Sequence, residues 1–208
     1  MKKHIGDVLP RTKTQRNKQI AIWGAAFLVA LMVLSSLAVI LDNYSQPDNA
    51  LTYGNYTFVP IVNGWKTTIN GRDITFNFAP DSLETVDVGG APVIIGSSRV
   101  LWITYDPLAE YADVMGGIQY SDDHLLYDIK KIYVQRGLIN NTIYPELPQI
   151  DCSNATNAEP VLALIQTNDT TQVGARTEGS CVTIIGAFGD DFYRYNERII
   201  YQILGVMD

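Results

Sequence analysis

Histidine is almost missing from this chain: His4 and His124 are the only two in 208 residues. Any Ser-His-Asp or Cys-His catalysis beyond the long apolar run would have to use His124 alone. Cysteine is equally scarce, and Cys152 and Cys181 cannot build a zinc site without histidines or act as a Cys-x-x-Cys redox pair. Gly-x-Ser-x-Gly, His-Glu-x-x-His, phosphate-cradling glycine loops, EF-hand spacing and internal repeats are all absent. No cofactor is therefore expected. Beyond Leu41, basic charge is sparse too, nine Lys/Arg against 21 Asp/Glu. That balance excludes nucleic acid and anionic lipid surfaces as ligands of this part, because both require a basic patch.

What is present begins with Ile20 to Leu41, 22 residues without a charge. As a helix they would reach about 33 Å, enough for a hydrocarbon core of about 30 Å. The 19 residues before carry Lys2, Lys3, Arg11, Lys13, Arg16 and Lys18 against Asp7. The positive-inside rule makes 1–19 a cytoplasmic tail, 20–41 a transmembrane signal-anchor in the lipid bilayer, and the remainder extracytoplasmic at the cell membrane. Ser36-Leu37-Ala38 offers a signal-peptidase site as the alternative, but the apolar run exceeds an ordinary signal core and continues past it.

Asn-x-Ser/Thr acceptor patterns occur at Asn43, Asn55, Asn140, Asn154 and Asn168, all after the apolar run. Asn43 lies too close to the expected bilayer, which leaves Asn55, Asn140, Asn154 and Asn168 as glycosylation candidates. Cys152 and Cys181 lie on the same side, where an even pair in an oxidising space predicts one structural disulfide, with two unpaired buried thiols as the alternative.

Residues 42–55 read as a polar stalk and 56–208 as one α+β domain of antiparallel sheet with two or three helices. Trp65 to Ile69 and Arg72 to Phe78 flank Asn70-Gly71, a type I′ hairpin signal, with alternating apolar and polar positions. Tyr56 to Val62 precedes them as a strand, and Pro80-Asp81-Ser82 opens a helical turn. Arg99 to Tyr105 is strand-like. A helix is expected from Asp106-Pro107 to Met115, ended by Gly116-Gly117. Ser121-Asp122-Asp123 then caps a second helix stopped at Gly137. Strands follow at Val161 to Gln166, Gln172 to Arg176 and Cys181 to Ala187, and a last helix at Asp190 to Leu204.

Carboxylates supply the remaining chemistry. Asp122-Asp123 and Asp190-Asp191 are adjacent pairs, and Asp106, Glu110 and Asp113 have the spacing of one helical face. Paired acids serve hydrolases and Ca²⁺ sites, but acids at helix starts are also explained by the helix dipole.

Tyr56-Thr57-Phe58, Trp65, Asn70-Gly71 and Phe76-Asn77-Phe78 open the domain; Asp151-Cys152, Pro160-Val161, Cys181-Val182 and Arg198 to Gly205 close it. In these segments the chain resembles uncharacterised archaeal single-pass membrane-anchored surface proteins. The resemblance implies a globular outer domain and brings no activity or catalytic residue. The expectation is a non-catalytic module contacting an envelope protein or glycan. The alternatives are a membrane-tethered hydrolase using clustered Asp/Glu and an accessory subunit of a membrane complex.

Overall fold

The computed structural model describes residues 23–36, 49–139 and 143–208. The tail expected over 1–19, Asn43 and Asn140 lie outside them. The chain divides into Met1–Asp48 and Asn49–Asp208. In the first unit, residues 23–36 form helix α1, uncharged and exposed throughout. Trp23 is 77% accessible and Met32 73%. No helix among the described residues is long and apolar enough to cross a membrane. The ends of the expected span, 20–22 and 37–41, fall outside the described residues.

The second unit is α+β and opens with an antiparallel meander. Its strands are β1 (Leu51–Tyr53), β2 (Tyr56–Ile61), β3 (Gly64–Ile69) and β4 (Arg72–Phe76), in the order β1-β2-β3-β4. Asn70 and Gly71 take φ of 52° and 78°, the left-handed pair a type I′ turn demands. Thr67, Ile69, Ile74 and Phe76 turn inward, while Lys66 and Asp73 form a 2.7 Å ion pair on the wet face. Leu51–Tyr53, expected as the end of the stalk, is instead paired, with Leu51 opposite Phe58 and Tyr53 opposite Tyr56. The Gly54-Asn55 hairpin dipeptide between them explains the difference.

After a 3₁₀ turn at Pro80–Leu83 and a short helix α2 (Ala91–Gly96), missed in the sequence, the chain builds a second, mixed sheet. Here β5 (Val100–Tyr105) leads through α3 (Ala112–Lys130) to β6 (Tyr133–Leu138), parallel to β5. Strands β7 (Val161–Gln166) and β9 (Cys181–Gly186) extend the parallel set, β8 (Gly174–Glu178) pairs antiparallel with β9, and the order is β6-β5-β7-β9-β8. Helix α4 (Gly189–Leu204) closes the chain, ended by Gly205 at φ 76°. An antiparallel sheet was expected, and β1 to β4 form one; the parallel centre of the second sheet is a correction.

Two further corrections concern α3. The glycine pair does not break it, and no helix begins at Asp106 or Ser121. A Cβ on Gly116 would lie 2.9 Å from the Tyr105 hydroxyl, and one on Gly117 3.4 Å from that of Tyr193. Both glycines permit close packing, which outweighs a propensity cost of about 1 kcal/mol each. The helix stops at Lys131, in left-handed conformation at φ 61°, where Ile132 N–H donates back to Leu126 O as in a Schellman motif. Ile132 and Tyr133 therefore leave the helix for β6. Gly137, expected as a stop, sits inside β6 with no room for a side chain beside Ile150.

The core joins both sheets through α4. Tyr201, Phe58 and Phe76 are buried together, with Tyr201 5.8 Å from Phe58 and 4.2 Å from Phe76 between ring centroids. The Tyr201 hydroxyl donates to Phe78 O at 2.7 Å.

Cys152, in a 3₁₀ turn, is disulfide-bonded to Cys181, the first residue of β9, across a sequence separation of 29. Loop-closure entropy assigns the bond about 3–4 kcal/mol. Urea unfolding with and without reductant should differ by that amount; equal midpoints would show that the staple contributes nothing.

Candidate functional site

Three elements meet at a cleft of about 210 Å³ beside the end of β4. Helix α3 brings Asp122, which lies on the buried stripe of Met115, Ile118, Gln119 and Leu126. Helix α4 brings Asn196 and Glu197, the former one turn from Phe192 and Ile200 on its apolar face. Strand β4 ends at Phe76, placing Asn77 opposite Glu197. Asp122, Asn196 and Glu197 are 2%, 3% and 5% exposed.

The two carboxyls are held differently. Glu197 Oε1 accepts from the backbone and side-chain N–H groups of Asn77, both at 2.7 Å, and Oε2 accepts from Phe78 N–H at 2.9 Å. Glu197 is thus a clasp between α4 and the end of β4. Asp122 Oδ1 accepts from Asn196 Nδ2 at 3.2 Å. Asp122 Oδ2 and Asn196 Oδ1 are buried without a hydrogen-bond partner. Burial pushes the Asp122 carboxyl up to about 7, against the pull of the Asn196 amide and reinforced by Glu197. Burial also pushes Glu197 up to about 7, opposed by its N–H donors. A buried acceptor left unpaired costs about 1–3 kcal/mol. Above about pH 7, where Asp122 is ionised, the cleft therefore holds a demand for a hydrogen-bond donor.

The cleft adjoins a groove of about 420 Å³ running between β4 and α3, and Thr75, Ser121 and Leu125 line both. Arg72 and Asp128 form an ion pair across this groove. Ser121, His124 and Asp128 all line it but make no catalytic relay. The Ser121 hydroxyl donates to Ile118 O at 3.1 Å, His124 Nδ1 lies 2.9 Å from Tyr120 O, and Asp128 is taken by Arg72. A nucleophile-base hydrogen bond, which such a relay needs, is not formed.

The other acids do not assemble into the expected sets. Asp106 precedes α3 and accepts from Leu108 N–H, so Asp106, Glu110 and Asp113 share no helical face. Asp123 pairs with Arg136 at 2.7 Å, separating it from buried Asp122. Asp190 and Asp191 lie in the first turn of α4, and Asp191 Oδ2 accepts from Ala187 and Phe188 N–H. Among the described residues no group of three or more His, Cys, Asp or Glu is placed to hold a metal. Asn55, Asn154 and Asn168 are exposed.

Asn196 and Glu197 were missed in the sequence, although an asparagine on an otherwise apolar stripe is a readable anomaly. Asp122 was singled out, but as an acid capping the start of a helix. The class that fold and site define is a two-sheet α+β domain with a polar, partly unsatisfied cleft at an edge strand. The chain matches no protein-family model, no curated protein and no solved structure.

Proposed function

We propose that this chain is a signal-anchored, single-pass surface protein whose outer domain is a non-catalytic module that docks an envelope partner. The observation that carries the docking is the cleft, where two buried acceptors are left unpaired at the end of a strand that, among the described residues, has no strand on its outer side. The uncharged helix 23–36, exposed along its whole length, supports the anchor, because apolar side chains on every side of a helix fit an apolar solvent. The acidity beyond Leu41, the cystine and the exposed acceptors Asn55, Asn154 and Asn168 support an outside location and glycosylation. The resemblance read in its sequence segments to archaeal single-pass surface proteins would imply the same topology.

A membrane-tethered hydrolase using clustered Asp/Glu is the second reading, favoured by the buried carboxyls of Asp122 and Glu197 lining one cleft. Chemical crosslinking and affinity purification of the full-length protein from its native membrane test the docking. A reproducible envelope partner supports the module; an unpartnered monomer that hydrolyses ester or glycoside substrates replaces it with the enzyme. For topology, a membrane-impermeant maleimide should label intact cells only after reduction. Labelling that requires lysis would invert the orientation.

A further inference from the structure

Resting on the docking reading, we propose that the cleft seats the primary ammonium of a lysine side chain, presented by an extended partner segment that adds as a strand to β4. Two independent features define the ligand. The first is the edge. Ile69 and Arg72 are the hydrogen-bonded pair that closes the two-residue turn, so the alternation of an antiparallel ladder turns the N–H and C=O groups of Asp73 and Thr75 away from β3. No strand lies on that side in the order β1-β2-β3-β4, and Thr75 is exposed. The groove between this edge and α3, crossed by the Arg72–Asp128 ion pair at the start of β4, lies where an added peptide would extend the sheet, with main-chain bonds giving affinity and side-chain pockets giving specificity.

The second feature is the pocket at the end of that groove. Asp122 Oδ2 and Asn196 Oδ1 are acceptors, and both residues are more than nine-tenths buried. They require a donor, and beside the Asp122 carboxylate a cation satisfies charge and hydrogen bonding together. A primary ammonium carries three donors and no acceptor on a slender stem, which suits a cleft of about 210 Å³ with Leu125 on its wall. A guanidinium, with five donors in a planar fork, would exceed the two acceptors on offer. Glu197 is not recruited, since its oxygens are already engaged by Asn77 and Phe78.

The test uses the full-length protein in nanodiscs at pH 8, with thermal shift and calorimetry as readouts. The probes are n-butylammonium, n-butanol, the pentapeptide acetyl-Val-Thr-Lys-Thr-Val-amide and its norleucine counterpart. The expected result is binding of n-butylammonium but not n-butanol, with loss in Asp122→Asn. The lysine peptide should bind at least tenfold more tightly than n-butylammonium, and norleucine should lose at least tenfold. Asp73→Pro removes one outward N–H without touching the β3 ladder hydrogen bonds or the lining of the cleft; it should weaken the peptide tenfold and leave n-butylammonium unchanged.

Equal behaviour of n-butylammonium and n-butanol, or undiminished binding by Asp122→Asn, overturns the ammonium site. A peptide no tighter than n-butylammonium overturns strand addition and makes a free small amine the ligand. If these fail while crosslinking still yields an envelope partner, only this assignment falls; loss of both sinks the docking reading as well.

Discussion

Asp122→Asn should make the protein more stable at pH 8 by about 4 kcal/mol and remove the share of the pH dependence of its unfolding that Asp122 carries. The folded-state carboxyl sits at about 7 against an ordinary 3.8. Between those values the folded chain keeps a proton that the unfolded chain releases. The stability contributed by protonated Asp122 is thus fully present below about pH 4 and lost as pH rises through 7. Between pH 5.5 and 8 the loss is about 2 kcal/mol. Glu197, raised from 4.5 to about 7, acts in the same direction. Native protein should therefore melt higher at pH 5.5 than at pH 8. The asparagine variant should keep only the pH dependence that Glu197 contributes, because its amide carries no charge into the cleft and offers Asn196 Oδ1 a donor. The variant should gain roughly 8–16 °C at pH 8 for a domain of this size. A native melting temperature that rises with pH would mean that Asp122 is ionised in the fold with a partner of its own.

Gly64→Ala should cost about 4–5 kcal/mol and splay the first sheet. Gly64 has a φ of 142°, which an L side chain rarely adopts, and a Cβ there would lie 2.1 Å from the backbone oxygen of Phe76. A flexible side chain could move aside, but a carbonyl inside the β3–β4 ladder cannot move without breaking the pairing of Trp65 with Phe76. Phe76 is buried against Tyr201, so the damage reaches the core. Gly71→Ala is the control: it has a left-handed φ of 78° but nothing within 4 Å, and should cost about 1 kcal/mol. Equal losses for the two would show that backbone conformation, not the close approach, governs Gly64.

The elements legible in the sequence are those specified by local chemistry. Asn70-Gly71 with alternation on both sides gave the hairpin, and the apolar periodicity of Ile199, Ile200, Ile203 and Leu204 with Gly205 gave α4. The misreadings arose where tertiary contact overrides local preference. Gly116-Gly117 looks like a break until Tyr105 and Tyr193 pack over it. Treating Ile132 and Tyr133 as helix hid β6, and with it the β5–α3–β6 crossover that makes the second sheet parallel. The continuous burial of Val161, Leu162, Ala163 and Leu164 was the surviving clue, since strands covered on both faces lose alternation. The cleft was least legible, because Asp122 reads as a cap wherever a helix is thought to begin, and its burial depends on α4, 74 residues away.

Site-specific photo-crosslinking in the native membrane tests the central claim most directly. A photoreactive side chain would replace Thr75, on the open edge of β4, or Glu178, on β8 at the far edge of the second sheet. A docking module predicts a discrete envelope-protein adduct from position 75 that is absent from position 178. No adduct from either position, or the same adducts from both, would contradict it.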